Sequence, residues 1–157
     1  MSMDVLRYEP LFSLYLDIGY DRAHKIGTVP LGWRGIYPVS GGRFEGAKLA
    51  GRVLSDGADW VMGRSDDAME IDVRLALETH DGALIAMAYT GLICTPSAVS
   101  ERMRAGEPVA YEETYIRTTP RFQTADPRYA WLNKIVAVAN GYGRRGDGPT
   151  YHVFAIL

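Results

Sequence analysis

A carboxylate, a guanidinium and a phenol recur at strand-like spacing near the middle of the chain. Asp72 and Arg74 are two residues apart, so on a β-strand their side chains share a face, and Tyr89 follows on the next predicted strand. Arg74 would keep the Asp72 carboxylate ionised, because a neighbouring positive charge favours the charged form. An ionised aspartate can act as a general base while Tyr89 or the guanidinium of Arg117 stabilises an oxyanion. These four residues are the candidate catalytic group.

The relative position of these side chains depends on one predicted turn. Asp81-Gly82 between two alternating runs predicts a two-residue type I′ hairpin loop. Counting outward from that loop places Arg74 opposite Tyr89 and on the same face as Asp72. The other face of the same strand, the more apolar one, carries Ile71, Val73, Leu75 and Leu77.

Periodicity leaves open which of these two faces lines the interior. In one interpretation the apolar face is the core, and Asp72 and Arg74 form a solvated pair worth about 0 to 1 kcal/mol. In the other interpretation Asp72, Arg74 and Tyr89 point into a barrel and the apolar face meets a partner sheet or subunit. The functional interpretation depends on the second alternative.

Further side chains are candidates for the wall of a binding pocket. An inward Arg117 would offer several fixed donors to an enolate, carboxylate or phenolate oxygen, and its alternative is an ion pair at the barrel rim. Aromatic, thioether and amide groups would supply apolar walls and neutral hydrogen bonds. The candidate substrate-binding residues are Arg34, Asp59, Trp60, Met87, Phe122, Trp131 and Asn133.

Short alternating runs separated by turn residues predict the elements that must hold these groups. Seventeen Gly and eight Pro punctuate the chain, which is typical of an all-β sandwich or barrel. Ser97 before helix formers and Gly106 after them predict one short helix over 98–105. The predicted strands are 11–18, 34–39, 45–54, 60–62, 69–79, 83–92, 112–118, 131–140 and 151–157. We expect one domain over 1–157, a single antiparallel β-barrel of about eight to ten strands.

Composition excludes several classes of protein. The chain has 157 residues, of which 47% are hydrophobic and 23% are charged, a composition typical of globular proteins. A net charge of -2 argues against nucleic acid as a partner, because phosphate binding needs a clustered basic excess. The apolar stretch over 11–16 is too short to span a membrane. With a lone Cys94 and no signal-like N-terminal segment, we expect a cytoplasmic protein.

No motif indicates a metal or a cofactor. The three histidines, His24, His80 and His152, are dispersed and lack metal-site spacing. Residues 141–146 match G-x-G-x-x-G, but a dinucleotide site needs a helix at that point, and a strand is predicted instead. We therefore expect no metal and no cofactor, so any chemistry would use side chains alone.

Several blocks of the sequence resemble the family called domain of unknown function 3237. They occur in order over nearly the whole chain from about residue 31. The blocks are Pro38–Gly46, Gly51–Leu54, Gly57–Trp60, Asp72–Arg74, Thr79–Ile85, Tyr115–Phe122 and Tyr129–Asn133.

This resemblance implies a compact β-barrel, similar in architecture to allene oxide cyclase and dirigent-like barrels, with a cavity for a small molecule. Such barrels are associated with cyclisation and isomerisation of small, mostly apolar natural products. The family pattern commonly has Ala and Tyr where this chain has Val73 and Leu75. This pattern suggests that the face with residues 73 and 75 is outward in relatives, which favours an inward position for Asp72 and Arg74. It also favours a homo-oligomer, a dimer or higher, assembled through the unusually apolar outer face.

Three functions remain open at this point. The first is a cofactor-independent isomerase or cyclase that acts by acid/base chemistry on a small, largely apolar carbonyl or phenolic metabolite. The second is a barrel that binds such a molecule without changing it. The third is an assembly protein whose barrel is filled by side chains. Fold alone does not decide among them.

Overall fold

Strands dominate the computed structural model of the protein, which describes residues 2–144 and 148–157. Those residues form ten strands, one α-helix and three 3₁₀ helices. The strands are β1 (Tyr8–Ile18), β2 (His24–Val29), β3 (Gly32–Glu45), β4 (Gly51–Val53), β5 (Ala58–Gly63), β6 (Met69–Thr79), β7 (Leu84–Ile93), β8 (Ile116–Gln123), β9 (Val136–Arg144) and β10 (Gly148–Ile156). The helix is α1 (Ser97–Ala105), and the 3₁₀ helices are Tyr20–Arg22, Tyr111–Glu113 and Pro127–Lys134.

All strand pairings are antiparallel, and they close into a barrel. The order β1-β10-β9-β8-β7-β6-β4-β3 returns to its start because β3 also pairs with β1. Both β4 and β5 pair with β3 and β6 along different stretches, so the ring has eight positions. The remaining strand, β2, extends the sheet from β3 as a hairpin. The predicted all-β barrel with one short α-helix is confirmed.

Alternation along β6 shows which face forms the interior. Ile71, Val73, Leu75 and Leu77 are between 0 and 5% exposed, whereas Asp72 and Arg74 are exposed. Successive strand residues point to opposite faces, so the apolar set fills the barrel and the charged set lies outside. The prediction that Asp72 and Arg74 point inward is therefore wrong. The apolar face on which we based a subunit interface is core, and the homo-oligomer stays a prediction without that support.

The hairpin after β6 has a three-residue loop, His80 to Gly82, and not the predicted two-residue loop. Thr79 accepts the backbone N–H of Ala83 on its hydroxyl at 2.8 Å and donates its own N–H to the Ala83 carbonyl at 2.9 Å. The His80 N–H bonds to the carbonyl of Ala50 instead of pairing within the hairpin. Gly82 takes a φ of 85°, the left-handed position of such loops.

The extra loop residue shifts the register of the hairpin by one. Val73 lies opposite Tyr89, and Arg74 lies opposite Ala88. A one-residue shift moves a strand's side chains to the other face relative to its partner. Tyr89 is thus inside the barrel and on the opposite side of the wall from Asp72 and Arg74.

One half of the barrel is filled by side chains and closed at its end. Phe12 packs against Phe44 and Phe122 with ring centroids 5.5 and 5.9 Å apart. Leu132 of the 3₁₀ helix Pro127–Lys134 is 1% exposed and covers this end. The helix is held by the Tyr129 hydroxyl, which donates to the Asp81 carboxylate at 3.0 Å.

Other element boundaries differ from the predicted ones. The predicted strands 34–39 and 45–54 are a long β3 and a short β4, and β2 was not predicted. The predicted strand 131–140 begins as a 3₁₀ helix, because Asp126 caps the N–H of Arg128 and Pro127 starts the helix. Within the described ranges, no helix has the length and apolarity to cross a membrane.

The G-x-G-x-x-G match lies at the end of β9. Gly141 and Gly143 are strand residues, whereas Arg145, Gly146 and Asp147 lie outside the described residues. The Cβ of an alanine at Gly141 would come within 2.7 Å of the Tyr151 ring. The absent side chain of Gly141 therefore makes room for an aromatic ring of the neighbouring strand.

Candidate functional site

The open half of the barrel holds a cavity of about 340 Å³. It lies where β1, β7 and β9 end and where β6, β8 and β10 begin, at the opposite end from the 3₁₀ helix Pro127–Lys134. Aliphatic side chains from all these regions form much of its wall. Its lining residues of polar or aromatic type are Tyr20, Trp33, Tyr37, Asp59, Tyr89 and Tyr151. We call these six residues the cavity cluster.

Asp59 is the one carboxylate among the described residues that line this cavity. It lies on β5 between Tyr37 of β3 and Val73 of β6. Its Oδ1 accepts the backbone N–H of Asp72 at 3.3 Å. The pKa of Asp59 is raised to about 7, mainly by burial; the hydrogen bond from the Asp72 N–H lowers it, and the negative charge of Asp72 raises it. Asp59 can therefore take up or release a proton near neutral pH.

Tyr89 places its hydroxyl deep in the same cavity. The residue is 3% exposed, and its hydroxyl has no hydrogen-bond partner in the part of the chain that the structure describes. The Tyr151 ring packs against it at an angle of 61° with centroids 5.3 Å apart. Burial raises the pKa of Tyr89 well above its ordinary value, and the charges of Tyr151 and Asp59 act in the same direction. Tyr89 is therefore a neutral phenol whose hydroxyl interacts with that of Tyr151 but makes no hydrogen bond of ordinary geometry in the described part of the chain.

The pKa values of two other tyrosines of the cluster, Tyr37 and Tyr151, respond to the same carboxylate. Burial raises the pKa of Tyr37, and the charge of Asp59 raises it further. Burial also raises the pKa of Tyr151, which the Asp59 charge supports and a contact with Tyr89 opposes. Tyr20 stands at the mouth with its ring 6.0 Å from that of Tyr37. The Asp59 carboxylate thus lies among three phenols, Tyr37, Tyr89 and Tyr151, that stay protonated.

The backbone of β3 brings two of the aromatic rings together. Trp33, Gly35 and Tyr37 lie on one face by the period of two. A Cβ at Gly35 would come within 2.5 Å of the Trp33 ring and 3.0 Å of the Tyr37 ring. The glycine lets both rings lean over the same stretch of strand.

The structure brings together only two of the predicted site residues, Asp59 and Tyr89. Arg34 lies on the outer face and donates to the Trp60 carbonyl at 3.1 Å, and Trp60 itself is 49% exposed. Arg117 also lies outside, where its guanidinium stacks over the ring of Tyr115 at 4.6 Å. The predicted inward positions of Arg34, Arg117 and Trp60 are wrong, because each alternates with a residue that faces the interior.

The remaining predicted pocket residues belong to the filled end. Met87 and Phe122 are buried in the core of that half. Trp131 and Asn133 lie on the 3₁₀ helix and do not share a strand face. Trp131 is half-buried beneath Lys48, while Asn133 is exposed and bonds to both the N–H and the carbonyl of Thr124. These four residues do not line the cavity.

Four residues of the cavity cluster were not predicted from the sequence, namely Tyr20, Trp33, Tyr37 and Tyr151. A signal for two of them was present, since Trp33 and Tyr37 flank a glycine at strand spacing. Tyr151 lies two residues before Val153 on the predicted last strand, so the two side chains share a face. Tyr20 had no signal, because its place at the mouth depends on the short 3₁₀ helix after β1.

Comparison with known proteins assigns the chain to a family. The sequence profile of the family described as "Protein of unknown function (DUF3237)" matches residues 6–156. The chain belongs to this family. A UPF0311 protein of Bradyrhizobium diazoefficiens is 35% identical over 83% of this chain and 85% of that protein. The family resemblance noted from the sequence blocks is confirmed.

Solved structures similar to this DUF3237 chain share its fold. A protein of unknown function from Rhodopseudomonas palustris has a TM-score of 0.89 at 31% identity, covering 98% of this chain and 99% of that one. A β-barrel-like protein from Acinetobacter baumannii has a TM-score of 0.83 at 34% identity, covering 98% and 97%. A structure described as an enzyme from Penicillium herquei has a TM-score of 0.72 at 18% identity, covering 97% and 95%, and at that distance the likeness concerns the fold alone.

Proposed function

We propose that this DUF3237 barrel is a cofactor-independent isomerase or cyclase that moves a proton on a small, largely apolar carbonyl or phenolic compound held in its open half. The observation that carries the proposal is the enclosure of one carboxylate, Asp59, beside an unpartnered phenol, Tyr89, in one cavity. A base and an oxyanion donor that line one largely apolar cavity are the two groups that such chemistry needs.

The roles of the two residues follow from their protonation states. The Asp59 carboxylate takes a proton from a carbon next to a carbonyl or from a hydroxyl group. The electron pair of the broken bond moves onto the substrate oxygen, and the neutral Tyr89 hydroxyl donates a hydrogen bond to that oxygen. Returning the proton to another carbon completes an isomerisation. In a ring closure, the enolate or phenolate attacks an electron-poor C=C bond of the same molecule; the π bond breaks, and the carbon that receives its electron pair takes the proton from Asp59.

The near-neutral pKa of Asp59 supports the base role. A carboxyl group with a pKa of about 7 is a stronger base than an ordinary aspartate and is still ionised in a large fraction of molecules at neutral pH. Burial, the main cause of the raised pKa, also removes the water that would compete for the proton.

The test uses 2-tetralone, a compact ketone whose hydrogens next to the carbonyl exchange for deuterium when a base removes them. Exchange in deuterated buffer is followed by proton NMR, with buffer alone as background. We expect the wild type to accelerate exchange and Asp59→Asn to lose about a hundredfold of that acceleration. Glu70→Gln is the matched control, since Glu70 is an exposed carboxylate on the outer face that pairs with Arg64. Equal rates for the wild type and Asp59→Asn would refute the base role.

The same cavity favours a second candidate function, a barrel that binds its ligand without changing it. The observation in its favour is the predominance of aliphatic and aromatic side chains in the wall, which is typical of small-molecule binding sites. Binding of 2-tetralone without any accelerated exchange would favour this second function.

A further inference from the structure

The cavity has no cationic group among the side chains that the structure describes. Its described lining contains no arginine, lysine or histidine, although the chain has 17 Lys and Arg. The arginines that the sequence placed inside, Arg34, Arg74 and Arg117, are all on the outer surface. Among the side chains that the structure describes, a ligand in the open half therefore meets one carboxylate and no positive charge.

An anionic ligand would be strongly disfavoured in such a place. A second negative charge beside Asp59 would have to lose its hydration in an apolar wall without a partner. The Tyr89 hydroxyl alone does not neutralise a charge. The same wall favours an uncharged ligand, because binding removes the apolar surfaces of both the ligand and the aromatic and aliphatic side chains from water.

The unpartnered Tyr89 hydroxyl indicates what the ligand carries. This donor is 3% exposed, and buried polar groups are nearly always hydrogen-bonded in folded proteins. An acceptor oxygen on the ligand satisfies it. Asp59, on the adjoining wall, accepts a hydrogen bond from a ligand hydroxyl or takes a proton from an acidic carbon.

The size and shape of the cavity limit the rest of the ligand. A volume of about 340 Å³ is at the small end of the range for small-molecule sites. Two edge-to-face ring pairs, Tyr20 with Tyr37 and Tyr89 with Tyr151, line it together with Trp33. A flat ring of the ligand can pack its edge or its face against these aromatic side chains.

We infer that the ligand is an uncharged, flat molecule of one or two fused rings, with a carbonyl or hydroxyl oxygen bound to Tyr89 and an acidic hydroxyl or C–H directed at Asp59. This inference rests on the proposed function for the role of Asp59 and adds the charge and the size of the substrate. Carboxylated and phosphorylated compounds of the same ring size are excluded from the site.

The test compares two probes with the same ring system, 2-naphthol and 2-naphthoate, by calorimetric titration at pH 8. The first is uncharged and the second is an anion at that pH. We expect the wild type to bind 2-naphthol at least tenfold more tightly than 2-naphthoate. In Asp59→Asn the preference becomes smaller than in the wild type, because the repelling charge is gone and only the cost of dehydrating the anion remains. Glu70→Gln, an outer-face control, keeps the wild-type preference.

A third probe tests the hydrogen bond from Tyr89. Affinity for 2-tetralone, whose only polar atom is the carbonyl oxygen, falls about fivefold to tenfold in Tyr89→Phe. Circular dichroism of each variant at the titration temperature confirms that it is folded. An unchanged affinity in folded Tyr89→Phe contradicts the assignment of the carbonyl to this hydroxyl.

The outcomes separate this inference from the proposed function. If 2-naphthoate binds as tightly as 2-naphthol, or if neither probe binds, the inferred ligand class is wrong even where the exchange reaction of 2-tetralone depends on Asp59. If 2-naphthol is preferred but no exchange is catalysed, the ligand class stands and the catalytic proposal fails.

Discussion

Asp59 and Asp72 are neighbours across β5 and β6, yet their carboxylates lie on opposite sides of the barrel wall. The Asp72 backbone N–H donates to the Asp59 carboxylate at 3.3 Å, while the Asp72 side chain is exposed on the outer face. Asp59 alone faces the cavity. Both residues are aspartates. Their difference in burial makes Asp59 a candidate base and leaves Asp72 a surface charge.

Replacing Asp59 should change how stability depends on pH. The folded-state pKa of Asp59, about 7, is above the ordinary value of 3.8, so the folded protein binds this proton more tightly than the unfolded chain does. The stability that this proton contributes is fully present below about pH 4 and is lost as pH rises through 7. At 1.36 kcal/mol per pKa unit, the loss is up to about 4 kcal/mol.

The measurement is urea unfolding of the wild type and Asp59→Asn at pH values between 4 and 8. We expect the free energy of unfolding of Asp59→Asn relative to the wild type to rise from pH 4 and to level off above about pH 7. Acids with lowered pKa values, such as Asp66 and Asp126, titrate equally in both proteins and cancel in the difference. A difference that does not vary with pH would show that Asp59 ionises like an ordinary aspartate.

Tyr89→Phe should stabilise the ligand-free protein slightly or leave it unchanged. The substitution removes a buried hydroxyl that lacks a hydrogen-bond partner, and an unsatisfied group of this kind costs about 1 kcal/mol or more. Thermal unfolding compares it with Tyr129→Phe, which deletes a hydroxyl bonded to Asp81 and should lose about 1 kcal/mol. A loss of stability in Tyr89→Phe as large as in Tyr129→Phe would mean that the Tyr89 hydroxyl is already bonded in the free protein.

Gly141→Ala should displace the Tyr151 ring and damage the cavity. The new Cβ would lie 2.6 Å from the Ile116 side chain and 2.7 Å from the Tyr151 ring, and overpacking of this kind costs about 1 to 3 kcal/mol. Gly63→Ala is the matched control, because its Cβ would meet nothing closer than 3.5 Å. Chemical denaturation and 2-naphthol titration of both variants check this prediction, and equal behaviour of the two would argue against tight packing around Tyr151.

Leu77→Ala should destabilise the barrel without altering ligand preference. Leu77 is fully buried in the filled half, where deletion of a leucine side chain costs about 2 to 5 kcal/mol. Leu84→Ala removes the same atoms from a side chain that is 61% exposed and should change stability by less than about 0.5 kcal/mol. A shift in the 2-naphthol to 2-naphthoate preference of folded Leu77→Ala would mean that the filled and open halves are coupled.

The sequence predicted the fold better than it predicted the site. Alternation and turn residues were enough for an antiparallel barrel, because they are local signals that the closed sheet preserves. The bounds of β6 were predicted as they are observed, and its apolar face was recognised. Whether that face was inside could not be decided by alternation, which is equally strong in either orientation.

The site was misplaced for two physical reasons. The Thr79 hydroxyl takes the place of a backbone partner in the hairpin and adds a loop residue, which moves Tyr89 off the face of Arg74. The apolar residues of β6 were interpreted as an outer surface although burial of apolar area is the main driving force of folding. Asp59 and Tyr89 were named on other grounds, and their proximity depends on strand order, which no local pattern contains.

The most direct test of Asp59 as the base is the pH dependence of 2-tetralone deuterium exchange. The pKa values of Tyr37, Tyr89 and Tyr151 are raised above the ordinary tyrosine value, whereas the pKa of Asp59 in the same cavity lies near neutrality. We expect the wild-type rate above buffer background to rise with a midpoint near pH 7 and to reach a plateau, since only the ionised carboxylate accepts the proton. A wild-type rate with no such midpoint, or an identical profile in Asp59→Asn, would contradict the assignment of Asp59 as the base.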